Sequence, residues 1–117
     1  MKIENALASL PVKDLDAARQ WYERLIGRAS TSPMPELCEW TFPNGGGLQV
    51  YLAPDRAGGG SCTLPVLVIE VAIADLKRIG IDPGKLIGGE KAKVVMVRDP
   101  EGNSIAFAQA NNLSLAR

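Results

Sequence analysis

The stretch Leu10-Pro11-Val12-Lys13-Asp14-Leu15-Asp16-Ala17-Ala18-Arg19-Gln20-Trp21-Tyr22-Glu23-Arg24-Leu25-Ile26-Gly27 passes from a strand pattern to a helix pattern within a few residues. Asp14 stands where a side-chain oxygen can cap the first free amides of a helix, and Gly27 stands where a helix ends in a left-handed turn. Between them Leu15, Ala18, Trp21 or Tyr22, Leu25 and Ile26 recur at helical spacing and make one apolar stripe, suited to packing on a sheet. Upstream, Ile3 to Val12 reads as a strand. Downstream, Arg28 to Ser32, Leu37 to Phe42 and Leu48 to Ala53 read as three more, the last two joined by a tight turn at Asn44-Gly45-Gly46-Gly47. The first half is therefore strand, helix, strand, strand, strand.

Pro54 to Thr63, with Gly58-Gly59-Gly60, reads as a flexible connector. Beyond it the order repeats: Leu64 to Val71 as a β-rich run, Ala74 to Ile79 as one or two helical turns, then Leu86-Ile87, Ala92 to Arg98 and Asn103 to Gln109 as strands. Asp99-Pro100-Glu101-Gly102-Asn103 forms the last hairpin turn, with proline fixing φ early and glycine free to turn left-handed. The expected organisation is a module over residues 1–53, a connector over 54–63, a second module over 64–110 and a tail over 111–117.

With 117 residues, 46% hydrophobic and 22% charged, the composition is that of one folded domain able to support its own core. Lys and Arg total 13 and so do Asp and Glu, leaving no net field to draw nucleic acid or an anionic membrane. The longest apolar run, Leu64 to Ile69, is too short to span a bilayer. Cys38 and Cys62 are too few for a disulfide framework or a zinc site. Near neutrality without a signal-peptide pattern leads to the expectation of a reducing cytoplasm. Histidine is absent, which removes the commonest metal ligand and the usual general base. The glycine runs at 45–47 and 58–60 match no phosphate-binding pattern, since neither precedes a helix with the required lysine.

The Leu10 to Gly27 stretch, together with Val97-Arg98-Asp99-Pro100-Glu101-Gly102-Asn103-Ser104-Ile105, resembles the vicinal oxygen chelate superfamily, which includes the glyoxalase I, bleomycin-resistance and extradiol dioxygenase groups. The resemblance brackets almost the whole chain. It implies an α+β fold of two βαβββ modules whose sheets curl around a cleft, commonly assembled as a homodimer. It also implies that catalytic relatives hold a metal with side chains from the first and last strands of each module. Those positions fall here on Leu7, Tyr51, Val66 and Ala106. Leucine, valine and alanine offer no lone pair, and one phenol does not hold a divalent ion unaided. No metal or other cofactor is therefore expected.

Because side chains alternate across a strand, each of these positions identifies its neighbours on the same face. Leu7 brings Ser9, and Val66 brings Val68 and Glu70. If the 44–47 turn pairs Pro43 with Leu48, Trp40 lies opposite Tyr51, Phe42 opposite Gln49 and Cys38 opposite Ala53. A loop closing Asp99 on Asn103 pairs Arg98 with Ser104 and Met96 with Ala106. The expected lining is thus Trp40, Phe42, Tyr51 and Met96 for a flat organic ligand, with Gln49, Arg98 and Glu70 to orient it. The structural alternative is that these rings only pack as core between sheet and dimer partner; Trp21 and Tyr22, on the helix stripe, are expected to be core.

Three functions compete. The leading expectation is metal-free binding or sequestration of a small aromatic or amphipathic molecule, similar to the bleomycin-resistance type, with ligand capture quenching Trp40. The second is a metal-independent lyase or isomerase using Glu70 or Tyr51 as acid/base, with Cys38 as a candidate nucleophile and Arg98 stabilising negative charge. The third is a structural or interaction module with a closed cleft.

Overall fold

A computed structural model describes residues 1–110; the expected tail over 111–117 lies outside the described residues. The chain divides into two compact units. Unit 1 is Met1–Gly60 with the turn Asp99–Asn103, and unit 2 is Ser61–Arg98 with Ser104–Ala110.

Unit 1 is built on β1 (Leu7–Val12), α1 (Leu15–Ile26), β2 (Leu37–Thr41) and β3 (Gly47–Leu52). The Asp14 carboxylate accepts from the Ala17 amide at 3.1 Å. At the other end Gly27 takes φ 84° and its amide donates to Glu23 O, so both ends of α1 close as the sequence predicts. The sheet order is β1-β3-β2, with β1 parallel and β2 antiparallel to β3. Leu10, Val12, Leu48, Val50, Cys38 and Trp40 fill one face with Ala18 and Tyr22 of α1, and all are buried. The Tyr22 and Trp40 rings lie 6.2 Å apart, and the Trp40 indole N–H donates to Arg28 O at 3.1 Å. Burying each such large side chain contributes about 1.5–3 kcal/mol.

The Asp99–Asn103 turn is tied into unit 1 by buried polar groups. Asp99 Oδ1 accepts from the Glu101 and Asn103 amides, while Oδ2 accepts from the Tyr22 hydroxyl at 2.7 Å and from Asn103 Nδ2 at 2.8 Å. Asn103 also donates to Pro11 O and accepts from the Gly60 amide. The Glu101 carboxylate receives the Lys13 and Asp14 amides at 2.7 and 3.0 Å, just before α1 begins. The Asp-Pro-Glu-Gly-Asn sequence is thus both a hairpin turn and a polar clamp.

Unit 2 contains β4 (Ser61–Pro65), α2 (Ile69–Arg78), β5 (Ile87–Gly88), β6 (Ala92–Arg98) and β7 (Ser104–Ala110) in the order β4-β7-β6-β5. Val95, Val97, Ile105 and Phe107 form the buried face with Ile69 and Leu76 of α2. The last hairpin has the expected register, Arg98 with Ser104 and Met96 with Ala106.

Several expectations are corrected. The first strand begins at Leu7 rather than Ile3, and Arg28 to Ser32 supplies a single bridge, Thr31 to Glu39, instead of a strand. The connector contains a 3₁₀ turn at Pro54–Arg56 and the start of β4. The Leu64 to Val71 run is not one strand: pairing ends at Pro65, and α2 begins at Ile69, five residues before the expected Ala74. Val68 gives no side-chain cap, so the local signal for a helix start is missing. The cap comes from a distance instead, where Gln109 Oε1 accepts the Ile69 amide at 2.7 Å.

Candidate functional site

The hairpin between β2 and β3 decides which side chains meet. It closes with Thr41 opposite Gly47, Trp40 opposite Leu48, Glu39 opposite Gln49, Cys38 opposite Val50 and Leu37 opposite Tyr51. The expected Trp40–Tyr51, Phe42–Gln49 and Cys38–Ala53 pairs are therefore not formed. Phe42 donates its amide to Gly46 O and accepts from the Gly45 amide, with Gly45 and Gly46 both left-handed, so the turn closes earlier than expected. The shift is odd in residues, and it exchanges faces. Trp40, 1% exposed, belongs to the packed face, and Tyr51 and Gln49 belong to the open one.

On that open face two rows cross the sheet. Ser9, Gln49 and Glu39 occupy adjacent strands. Ser9 Oγ donates to Gln49 Oε1 at 3.2 Å, and Gln49 Nε2 donates to Glu39 Oε1 at 2.8 Å. In the next row Tyr51 pairs with Leu37, and the Arg56 guanidinium lies 5.5 Å over the Tyr51 ring. These rows floor an open hollow of about 370 Å³, lined by Ser9, Gln49, Tyr51, Leu37, Met34, Glu36, Leu52 and Arg56. Its mixture of aromatic and aliphatic surface with a few polar points suits a small molecule.

The other sequence candidates lie elsewhere. Phe42 follows the end of β2, and Arg28 sits 5.7 Å over its ring. Met96, 47% exposed, forms a row with Ala106 and Thr63 on the open face of unit 2, and Arg98 is in the same strand as Met96. Val66 lies beyond the end of β4, so Thr63 shares the row of Ala106 in its place. Glu70 is on the first turn of α2 rather than on a strand, with its carboxylate 3.6 Å from Lys93 Nζ. Cys38 is fully buried on the packed face of unit 1. The Arg19 guanidinium beside Cys38 and Asp16 is held above its ordinary range. Burial pushes the Cys62 thiol up to about 11, which leaves very little thiolate at neutral pH.

Sequence reasoning missed Met34, Glu36, Leu37, Leu52 and Arg56 as lining residues. Leu37 was within reach, since the correct hairpin register places it beside Tyr51. Met34, Glu36 and Arg56 lie outside the strands and follow no periodicity.

The metal positions implied by the resemblance do not fit a metal. Leu7, Val66 and Ala106 carry no donor atom, and among the described residues no group of three or more His, Cys, Asp or Glu could hold an ion. Among the described residues, no helix is long and apolar enough to cross a membrane.

No protein-family model and no curated protein matches the chain in sequence. Solved structures do match it. A glyoxalase / bleomycin resistance protein from Catenulispora acidiphila DSM 44928 superposes with a TM-score of 0.81 at 28% identity, covering 92% of this chain and 98% of that one. TnmS3, an antibiotic binding protein from Streptomyces sp. CB03234, gives 0.79 at 21% identity over 95% and 99%. A bleomycin resistance determinant encoded on the transposon Tn5 gives 0.77 at 20% identity over 94% and 100%. With the sheet orders and the two helices above, these likenesses establish that the chain has the vicinal oxygen chelate fold, that of the glyoxalase and bleomycin resistance proteins.

Proposed function

We propose that this protein captures a small aromatic or amphipathic molecule in the hollow of unit 1, without a metal. The observation that carries the reading is the open row of Tyr51 and Leu37 beside the polar row of Ser9 and Gln49, lining one hollow of about 370 Å³. A flat ligand can stack on the Tyr51 phenol while the polar row orients its substituents. Support comes from the solved structures of similar fold, which include an antibiotic binding protein and a bleomycin resistance determinant. Capture requires affinity and no reacting group, so it tolerates the donor-poor positions Leu7, Val66 and Ala106.

Assembly as a homodimer and a cytoplasmic location belong to the same proposal. Met96 and Ile87, 47% and 60% exposed, supply apolar area on unit 2 that a second copy can cover. Enzymatic use of Glu70 has less support, because its carboxylate is solvent-facing on α2 and 3.6 Å from Lys93 Nζ.

The test is a ligand-observed NMR screen of flat aromatic compounds against the protein in the presence of a chelator. Binders are expected, and Tyr51→Ala should weaken them about tenfold, as loss of an aromatic stacking surface does. Absence of any binder, or binding that appears only on adding a divalent metal, contradicts the proposal.

A further inference from the structure

We infer that the hollow selects ligands carrying a protonated amine or amidine next to the aromatic ring, over isosteric carboxylates; this rests on reading the hollow as the ligand site. The inference comes from the direction of the hydrogen bonds along Ser9, Gln49 and Glu39. An ionised carboxylate can only accept, so Glu39 fixes which end of the Gln49 amide faces it. That end is Nε2, at 2.8 Å, and the carbonyl end must then face Ser9, whose hydroxyl donates at 3.2 Å.

Once these bonds are made, the groups left for a ligand are unequal. Ser9 has spent its proton and keeps oxygen lone pairs. Gln49 keeps one lone pair on Oε1 and one N–H on Nε2, and Glu39 keeps carboxylate lone pairs. The row therefore offers several acceptors against a single donor. The charges lean the same way: Glu36 and Arg56 both line the hollow, the Arg56 guanidinium keeping its charge over the Tyr51 ring at 5.5 Å, and Glu39 bonded to the floor adds a second carboxylate against that one cation. Gln49 and Tyr51 are two residues apart on β3, about 6.6 Å along the strand. A ring set against Tyr51 thus brings a substituent one or two atoms long over the acceptor row.

The test uses the intact protein and three probes that share one naphthalene ring: 1-naphthylmethylammonium, 1-naphthylmethanol and 1-naphthylacetate. Affinities are measured by NMR titration at pH 7 and low salt. The ammonium is expected to bind about tenfold tighter than the alcohol, with the carboxylate weakest, as charge-assisted bonds to partly exposed acceptors allow. In Glu39→Gln, with its melting temperature checked against the parent, the ratio of ammonium to carboxylate affinity should shrink severalfold. Equal affinity for the three probes, or a preference for the carboxylate, overturns the inference and leaves the hollow as a binding site. A preference unchanged in Glu39→Gln overturns it as well, because the attraction then arises elsewhere. No binding of any probe at millimolar concentration removes the hollow as the ligand site and the inference with it.

Discussion

Replacing Tyr22 by Phe removes the buried hydrogen bond between the first helix and the last hairpin turn. The Tyr22 hydroxyl donates to Asp99 Oδ2 at 2.7 Å, a short, charge-assisted distance, and both residues are buried. The ring stays, so the packing against Trp40 at 6.2 Å is preserved and the space left by the lost oxygen is small. Hydrogen bonds to charged groups contribute about 1.5–3 kcal/mol, and losing one leaves a buried carboxylate short of a donor. Asn103 Nδ2 still donates to the same oxygen at 2.8 Å, which places the expected loss near the lower end, about 2 kcal/mol. With an unfolding entropy near 2.1 cal/mol/K per residue, a chain of this length should lose roughly 8 °C in Tm. Urea unfolding followed by circular dichroism and by tryptophan fluorescence gives the difference, with coincident curves licensing a two-state treatment. A loss under about 0.5 kcal/mol refutes the reasoning, and so does full additivity of Tyr22→Phe with Asp99→Asn, since two ends of one bond must couple.

Other consequences can be measured as directly. In Gly47→Ala the new Cβ would lie 2.4 Å from Leu7 Cδ2 and 2.5 Å from Trp40 O, so backbone must shift and urea unfolding should show a loss of about 1–3 kcal/mol; a neutral result contradicts the tight approach. Cys62, with its thiol pushed up to about 11, should react with iodoacetamide at neutral pH far more slowly than free cysteine. Its neutral form is favoured on folding, so this contribution is intact below the ordinary value of 9.0 and lost as pH rises through about 11; Cys62→Ala should flatten that alkaline loss. Glu23 is held below its ordinary 4.5 by the Ser30 amide and hydroxyl, so its contribution is present above that value and lost on acidification through the lower folded value; Glu23→Gln should differ least from the parent in acid.

The parts legible in the sequence are those whose signals are local. Asp14 and Gly27 mark both ends of α1 by their own backbone and side-chain chemistry, and the 99–103 turn fixes the register of its strands with one proline and one glycine. The start of α2 was not legible, because its cap is Gln109, forty residues away in sequence. The β2–β3 register was misread for a related reason. Three consecutive glycines allow more than one closure, and the one adopted, Thr41 to Gly47, reverses the faces of Trp40 and Tyr51. Of the three expected aromatic lining residues Trp40 therefore became core, and its quenching by direct ligand contact is no longer expected. The candidate site kept Gln49 and Tyr51 and acquired Arg56, whose position over the Tyr51 ring depends on a connector without periodicity.

The most direct measurement is a ¹⁵N amide chemical-shift map of the protein titrated with an aromatic binder in the presence of a chelator. Ligand capture in the unit 1 hollow predicts the largest shifts at Ser9, Leu37, Gln49, Tyr51 and Arg56, with a loss of response in Tyr51→Ala. Saturable binding whose shifts leave those residues unmoved would contradict the account.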